Sequence, residues 1–218
     1  MSTFGILGSG LVGQTFAAGL RDKGHTVRIA SRSPDSLEEF CTRTGIECGA
    51  LADVAAWGEH LVLAVKGTAA ESALAQAGQA NLNGKLVIDT TNPIADTPPV
   101  DGVLRFFTGP DASLLEQLQA AHPEARFVKA FNSVGCALMV NPDFGGVKPT
   151  MFYCGDDAAA KVTAASIIEQ FGWEGADMGG ARAARAIEPL CQLWCIPGYR
   201  NNDWGNHAFH LLRRVSPT

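Results

Sequence analysis

A glycine-rich segment and a serine–arginine pair follow the first two apolar runs of the chain. Gly8-Ser9-Gly10-Leu11-Val12-Gly13 comes directly after Phe4-Gly5-Ile6-Leu7, and Ser31-Arg32 ends the run over residues 26–30. A GxGxxG turn that opens a helix directs backbone N–H groups and the helix N-terminus at a pyrophosphate. At the end of the second strand, an acid selects the ribose 2′-hydroxyl of NAD, whereas an arginine accommodates the 2′-phosphate of NADP. The two segments therefore predict a binding site for NADP(H).

The elements that must position these residues follow from the hydrophobic pattern. Short apolar runs alternate with helical runs rich in alanine and leucine up to about residue 131, which is typical of a parallel sheet covered by helices. Strands are predicted at residues 3–8, 26–31, 46–48, 60–65, 86–89 and 126–131, and helices at 11–23, 34–44, 51–57, 69–79 and 111–122. The predicted fold class is α/β, a Rossmann doubly wound parallel sheet that occupies residues 1–148.

The pattern changes beyond residue 148. A strand over 151–154, a helix over 156–171 and a short strand over 174–178 precede residues 182–214, which are predicted to be mostly helical with breaks at Pro189, Pro197 and Gly205. The remaining length, about 70 residues, is short for a large independent domain. We expect residues 149–218 to form a small, mostly helical C-terminal α/β domain that packs on the first and closes the substrate cleft.

Three further segments lie where strands of the predicted sheet end. Ligands of an open parallel sheet bind beyond the carboxyl ends of its strands. Ala64-Val65-Lys66 and Asn92-Pro93 are therefore predicted to flank the nicotinamide ribose. Asn132 is the best polar candidate near the transferred hydride, and capping of the helical patch that follows is an equally good interpretation of the same residue.

Ionisable side chains are scarce in these segments, and no catalytic residue is predicted. Lys66 follows a strand, where it is expected either to be solvated or to touch the ribose or the substrate. Lys129 is interpreted as an edge residue whose amine reaches water, and Glu188 as the residue before a proline that begins a helix. His207 and His210 are expected on one exposed face of the last helix. Hydride exchange with a conjugated ring needs little beyond positioning, so the scarcity favours that chemistry.

Composition limits the classes of partner and the compartment. The net charge of −5 and the pI near 5.5 argue against nucleic acid as a partner, and no apolar run approaches the ~18–20 residues of a membrane span. Because the first strand begins at about Thr3, we expect no signal peptide and a cytoplasmic protein. The six cysteines contain no CxxC pair. We therefore expect reduced thiols and no metal site, with Cys191 and Cys195 sharing a helix face.

The chain resembles the NADP oxidoreductases related to coenzyme F420-dependent NADP reductases, and it is similar to the reductase domain of metalloreductases. The resemblance implies a Rossmann domain, a small C-terminal domain, NADP(H) and a homodimer. It also implies a cleft near Asn132-Ser133-Val134 that receives a second ring, with hydride passing directly between the two rings. The segments that carry it are the glycine loop, Ser31-Arg32, Asn92-Pro93, Lys129-Ala130-Phe131-Asn132, residues 151–157 and residues 207–213.

The function predicted on these grounds is NADPH-dependent hydride transfer to a small-molecule or coenzyme acceptor, namely a flavin, coenzyme F420 or another conjugated ring. Two alternatives stay open. Reduction of a small carbonyl or imine would require a proton donor near the new alkoxide or amine. Non-enzymatic sensing of NADPH would explain why no acid is evident in the sequence.

Overall fold

A six-stranded parallel sheet forms the centre of the protein. The structure, a computed structural model, describes residues 1–214. Every neighbouring pair in the sheet is parallel, and the strand order confirms the predicted Rossmann α/β fold. The strands are β1 (Thr3–Leu7), β2 (Thr26–Ala30), β3 (Glu47–Gly49), β4 (His60–Leu63), β5 (Leu86–Asp89) and β6 (Arg126–Lys129), in the order β3-β2-β1-β4-β5-β6.

Helices and a second, two-stranded parallel sheet surround this centre. The second sheet pairs β7 (Thr150–Tyr153) with β8 (Glu174–Asp177). The helices are α1 (Leu11–Asp22), α2 (Glu38–Thr44), α3 (Leu51–Trp57), α4 (Ala70–Ala77), α5 (Gln79–Leu82), α6 (Leu114–Ala121), α7 (Cys136–Met139), α8 (Ala158–Gln170), α9 (Ala184–Ile187) and α10 (Pro189–Asn201). Short 3₁₀ turns occupy Pro34–Leu37, Gly67–Ala69 and Ala181–Ala183.

Adjacent residues of the central strands alternate between two hydrophobic cores. Ile6 of β1 packs in one core with Phe16 of α1, whereas Leu7 packs in the other with Leu51 of α3 and Leu74 of α4. A strand that is buried on both faces has a continuous apolar sequence. This burial is the physical reason why these strands were recognisable from the sequence.

The segments beyond residue 148 share a core with the large sheet. The indole Nε1 of Trp173 donates a hydrogen bond to Met139 O at 2.9 Å, and the side chain is 2% exposed. The ring of Phe171 lies 5.1 Å from that of Phe16 in α1, measured between centroids. The C-terminal part therefore packs directly on the first, and the division at residues 148 and 149 stays a prediction.

The prediction of a mostly helical stretch over residues 182–214 is wrong beyond Asn201. Helix α10 runs through Pro197 without a break, and Asn202 then adopts a left-handed φ of 54°. The backbone after Asn202 forms hydrogen bonds with other elements instead. For example, Phe209 O accepts from Thr150 N of β7 at 2.8 Å. The last described residues thus lie along the small sheet instead of extending the helix.

The two C-terminal histidines do not share a helix face, contrary to expectation. His207 Nε2 lies 2.8 Å from Trp194 O, and Trp194 Nε1 donates to His207 O at 3.1 Å. His210 Nδ1 lies 3.0 Å from Lys148 O. His207 therefore ties the terminal segment to α10, and His210 ties it to the residues just before β7.

Several element ends differ from the predicted ones for local reasons. Strand β6 ends at Lys129 instead of residue 131, because Phe131 has a φ of 59°, which strand residues do not adopt. The helix predicted over 69–79 is interrupted at Gly78, whose φ is 90°. The helix predicted from residue 111 begins at Leu114, because Ser113 serves as its N-cap.

A capping box and an ion pair fix the first turn of α6. Ser113 Oγ accepts from Glu116 N at 3.2 Å, and Glu116 Oε2 accepts from Ser113 N at 3.1 Å. Arg185 of α9 donates two hydrogen bonds of 2.8 Å to the same carboxylate. These hydrogen bonds from Arg185 lower the pKa of Glu116.

Glu116→Gln is expected to destabilise the protein only where Glu116 is ionised. Glutamine keeps the size and the capping hydrogen bonds but loses the charge that Arg185 contacts. Since the pKa is lower in the folded chain, the stabilisation is complete above the unfolded value of about 4.3 and is lost as the pH falls through the folded value. The pair is partly exposed, so the expected shift of the urea midpoint at neutral pH is small. If Glu116→Gln lowered the urea midpoint by the same amount at a pH well below both pKa values, a role of the charge would be contradicted.

Candidate functional site

A cavity of about 1050 Å³ lies at the carboxyl ends of β1, β2, β4 and β5. The strand order reverses between β1 and β4, and open parallel sheets bind ligands at such a point. Gly13 and Pro93 adjoin the cavity in sequence but do not line it. The predicted cofactor residues that line it are Gly8, Ser9, Gly10, Leu11, Val12, Ser31, Arg32, Ala64, Val65, Lys66 and Asn92.

The three glycines of the loop have different surroundings. Gly8 has a φ of +138°, and a Cβ there would lie 2.2 Å from Ala64 O. A Cβ on Gly13 would lie 2.0 Å from Gly8 O, so chain packing alone requires glycine at both positions. Gly10 has an ordinary φ of −72°, and a Cβ there would meet no described atom within 4 Å. The folded chain leaves this space open to the cavity.

Helix α1 directs its N-terminus at the same space. Gly10 is its N-cap, its first turn carries no acidic residue, and no side chain of the described residues caps it. The first N–H groups of a helix have no partner within the helix and carry a partial positive charge. The open cradle at Gly10 and these N–H groups together fit a pyrophosphate.

Ser31 and Arg32 differ in what they contact. Ser31 is buried, and its Oγ donates to Ser9 Oγ at 3.2 Å and accepts from Ser33 N at 3.1 Å, which joins the end of β2 to the glycine loop. Arg32 is exposed at the cavity and makes no hydrogen bond or ion pair with any other described residue. An unpaired guanidinium at this edge is available to a phosphate.

The loops that follow β4 and β5 contact each other closely. A Cβ on Gly67 would lie 1.9 Å from Asn92 O, and Thr90 Oγ1 donates to Leu63 O at 2.9 Å. Lys66 is exposed, and its amine has no partner in the described part of the chain. Backbone packing therefore fixes this wall, and Lys66 is free to reach a ligand.

Asn132 binds the loop after β5 and does not cap a helix. Its Nδ2 donates to Asn92 Oδ1 and to Ile187 O, both at 3.0 Å, and Asn92 Nδ2 donates to Asn132 O at 2.8 Å. The capping interpretation is wrong, because Gly135 is the N-cap of α7. Asn132 Oδ1 is buried and has no partner among residues 1–214.

Asn132 itself and the two residues after it lie outside the cavity lining. Ser133 and Val134 are 7% and 9% exposed, and neither lines the cavity. Phe131 holds a left-handed φ of 59°, a conformation that costs about 1–3 kcal/mol. Its ring is kept in place against Phe16, with centroids 5.0 Å apart. This strained turn brings Asn132 to the loop after β5.

Among the lining residues that the sequence analysis did not name, two come from distant helices. Cys136 of α7 and Tyr199 of α10 line the cavity, although both are remote in sequence from the glycine loop and Arg32. Burial raises the pKa of Tyr199. No local signal marks either residue, because the chain brings α7 and α10 to the cavity only through long-range packing.

A buried ionic cluster lies beneath the loop after β5, and it corrects the interpretation of Lys129. The Lys129 side chain is fully buried, with Nζ 2.6 Å from Asp89 Oδ2 and 3.1 Å from Glu188 Oε1. Its amine also donates to Thr91 O at 2.8 Å. Burial alone would lower the pKa of Lys129, but the two carboxylates outweigh it and raise that pKa. Asp89 and Lys129 are partners in the register of β5 and β6.

Three further expectations concern the cysteines of α10, metal ligands and membrane spans. Cys191 Sγ and Cys195 Sγ lie 4.0 Å apart, which confirms that they share a face of α10. Among residues 1–214, no group of three or more histidine, cysteine, aspartate or glutamate side chains is arranged to hold a metal ion. None of the described helices is long and apolar enough to cross a membrane.

The sequence and the fold are similar to those of known oxidoreductases. The sequence profile of the family described as NADP oxidoreductase coenzyme F420-dependent matches residues 3–93. F420-dependent NADP reductase of Methanocaldococcus jannaschii is 29% identical over 201 residues, which cover 86% of this chain and 88% of that protein. A crystal structure of a candidate F420-dependent NADP reductase from Arthrobacter sp. FB24 has a TM-score of 0.90 and 32% identity over 98% of this chain and 100% of that one. The chain belongs to this family. It is an NADP-dependent oxidoreductase.

Two other groups of proteins share either a part of their length or only the fold with this chain. Metalloreductase STEAP3 of Rattus norvegicus is 30% identical over 206 residues, but the chain spans only 38% of that protein. Imine reductases share the fold at 14–19% identity. The family relation thus concerns the NADP oxidoreductases, and the imine reductases show the fold alone.

Proposed function

We propose that this NADP oxidoreductase transfers hydride between NADP(H) and a flavin-like ring, with a deazaflavin such as coenzyme F420 as the preferred acceptor. The observation that carries the proposal is the composition of one cavity. Its glycine loop and Arg32 fit a dinucleotide phosphate, and its other wall adds an apolar surface that a planar ring could contact. That second wall consists of Ile94, Ala95, Pro98, Pro99, Leu104, Cys136 and Tyr199 together with Asp96 and Thr97.

The residues of the chain have distinct parts in this proposal. The backbone of Gly8 to Gly13 and the N-terminus of α1 hold the pyrophosphate, and Arg32 beside Ser31 binds the 2′-phosphate. The segments at Ala64-Val65-Lys66 and Asn92-Pro93 flank the nicotinamide ribose. When bound, NADPH provides the hydride, and the protein fixes the distance and angle between the two rings.

The acceptor side depends on indirect contacts. Asn132 acts through its two hydrogen bonds with Asn92, which lines the cavity. Ser133 and Val134 shape the turn that leads to Cys136. A conjugated acceptor spreads the incoming charge over its ring, so the cavity needs orientation and exclusion of water more than a strong acid.

The acceptor is tested by anaerobic oxidation of NADPH with a panel of acceptors. Coenzyme F420, FMN, riboflavin, a soluble quinone, a cyclic imine and a small ketone are compared at equal concentration. We expect turnover with the deazaflavin and weaker turnover with the flavins. Tight binding of NADPH without oxidation by any acceptor would contradict the proposal and favour a sensor.

Reduction of a carbonyl or imine is the second candidate, because Tyr199 lines the cavity and offers a phenol as proton donor. Tyr199→Phe separates the two functions. If a flavin-like ring is the acceptor, we expect kcat within about threefold of the wild type, since a phenol is not needed for the transfer. A loss of about 100-fold or more confined to ketone or imine reduction would instead establish the second candidate.

The family relation also leads us to propose a homodimer, a cytoplasmic location and a domain division at residues 148 and 149. Light scattering of the purified protein tests the dimer. Limited proteolysis tests the division, because a linker between two domains is cleaved first.

A further inference from the structure

The loop between β5 and α6 forms much of the acceptor-side wall. Its residues Ile94, Pro98 and Leu104 line the cavity. It is a folded segment, since backbone bridges pair Ile94 with Phe106 and Val100 with Val103. A connection this long in a compact domain is usually functional. We call residues 92–113 the acceptor loop.

The first end of the acceptor loop is held through Thr91. Asp89 Oδ1 accepts from both Thr91 N at 2.8 Å and Thr91 Oγ1 at 2.7 Å. Lys129 Nζ donates to Thr91 O at 2.8 Å and forms an ion pair of 2.6 Å with Asp89 Oδ2. All the hydrogen-bonding groups of Thr91 thus bind either Asp89 or its cationic partner.

The last end of the loop is held through Glu188, which precedes α10. Its two carboxylate oxygens accept from Leu114 N at 2.9 Å and Leu115 N at 3.0 Å, the first N–H groups of α6. The same carboxylate lies 3.1 Å from Lys129 Nζ. The carboxylate that fixes the last end is therefore paired with the cation that fixes the first.

Lys129 is the cation that joins the two ends. Asp89, Lys129 and Glu188 are each no more than 1% exposed. Without the ammonium group, two buried carboxylates would be left without a cation, which is strongly unfavourable. The turn at Thr91 and the first turn of α6 would then have to move apart or admit water.

We propose that Lys129 is a positioning residue that clamps both ends of the acceptor loop and thereby sets the affinity for the second substrate. The inference rests on the proposed function, because it assigns the acceptor to the wall that this loop forms. Lys129 has no place in the cavity lining, and it acts through Thr91 and Glu188. Asn92-Pro93, at the beginning of the loop, flanks the nicotinamide ribose, but the phosphates of the dinucleotide are assigned to the glycine loop and Arg32, which follow β1 and β2.

The test compares three variants of the full-length protein. Lys129→Met removes the cation. Glu188→Gln keeps the shape of the side chain and weakens only the last end of the loop. The ion pair of Asp89 and Lys129 remains, and its two charges cancel. This variant is therefore expected to fold even where Lys129→Met does not. Ile167→Ala in the buried core of α8 is the control for a general loss of stability.

Hydrogen exchange of the acceptor loop, measured without any acceptor, is the first readout. We expect Lys129→Met and Glu188→Gln to speed exchange in residues 92–113 by about tenfold or more, and Ile167→Ala to leave these residues close to wild type. The second readout is steady-state kinetics, with KM for the acceptor raised about tenfold and Kd for NADPH changed by no more than about threefold.

Unchanged exchange in residues 92–113 would overturn the inference, as would an equal change in Ile167→Ala. An increase in the Kd for NADPH as large as that in the acceptor KM would overturn it as well. If the wild type reduces no flavin-like acceptor, the proposed function fails, and hydrogen exchange still decides whether Lys129 clamps the loop.

Discussion

Arg32→Ala is expected to weaken NADPH binding by about 10- to 150-fold and to leave NADH binding nearly unchanged. The guanidinium is exposed at the cavity without an internal partner, so its removal disturbs no folded contact. A charge-assisted hydrogen bond contributes about 1.5–3 kcal/mol, which corresponds to that range of affinity. Calorimetric titration of both nucleotides measures the effect, which salt should reduce.

The control for this result is Arg43→Ala. Arg43 is an exposed arginine of α2 that does not line the cavity, so the variant removes one positive charge without touching the site. We expect its affinity for NADPH to change by no more than about twofold. Equal losses of NADPH and NADH affinity in Arg32→Ala would refute the assignment of the 2′-phosphate to this residue.

Gly10→Val is expected to abolish binding of both NADPH and NADH in a protein that folds normally. The φ of −72° suits any residue, and the new side chain would enter open space at the N-terminus of α1. That space is where the pyrophosphate must approach the backbone N–H groups. We expect a loss of affinity of about 100-fold or more, with the melting temperature close to wild type.

Gly13→Val is the matched comparison within the same loop. Its Cβ would lie 2.0 Å from Gly8 O, so this variant is expected to lose stability before any ligand is added. The contrast separates glycine required by the fold from glycine required by the ligand. Wild-type affinity in folded Gly10→Val would show that the pyrophosphate does not bind at this loop.

The parts that the sequence predicted correctly depend on local patterns. The GxGxxG spacing and the apolar runs of β1, β4 and β5 are direct consequences of a turn at Gly8 and of burial on both faces of the sheet. These features are contained in short windows. These local features were sufficient to predict the ends of β1, β4 and β5, which line one cavity.

The parts that the sequence did not predict depend on contacts between distant segments. Strand β6 does lie at an edge of the sheet, yet Lys129 is buried, because its backbone forms a bridge with Cys154 and its amine contacts Glu188 from the junction of α9 and α10. Likewise, the residues after Asn201 form no helix, and their hydrogen bonds go to distant residues such as Trp194 of α10 and Thr150 of β7. No periodicity within a segment reveals which distant element will cover it.

The most direct test of the central claim is a single anaerobic turnover with NADPH that carries deuterium at C4 of the nicotinamide, with coenzyme F420 as acceptor. Each of the two C4 positions is labelled in turn, and the reduced acceptor is analysed by mass spectrometry. The account predicts that label from one position is retained on the C5 carbon of the reduced ring, and that Gly10→Val transfers none. Reduction of the acceptor without label from either position, with the deuterium in water, would contradict direct transfer between two rings in one cavity.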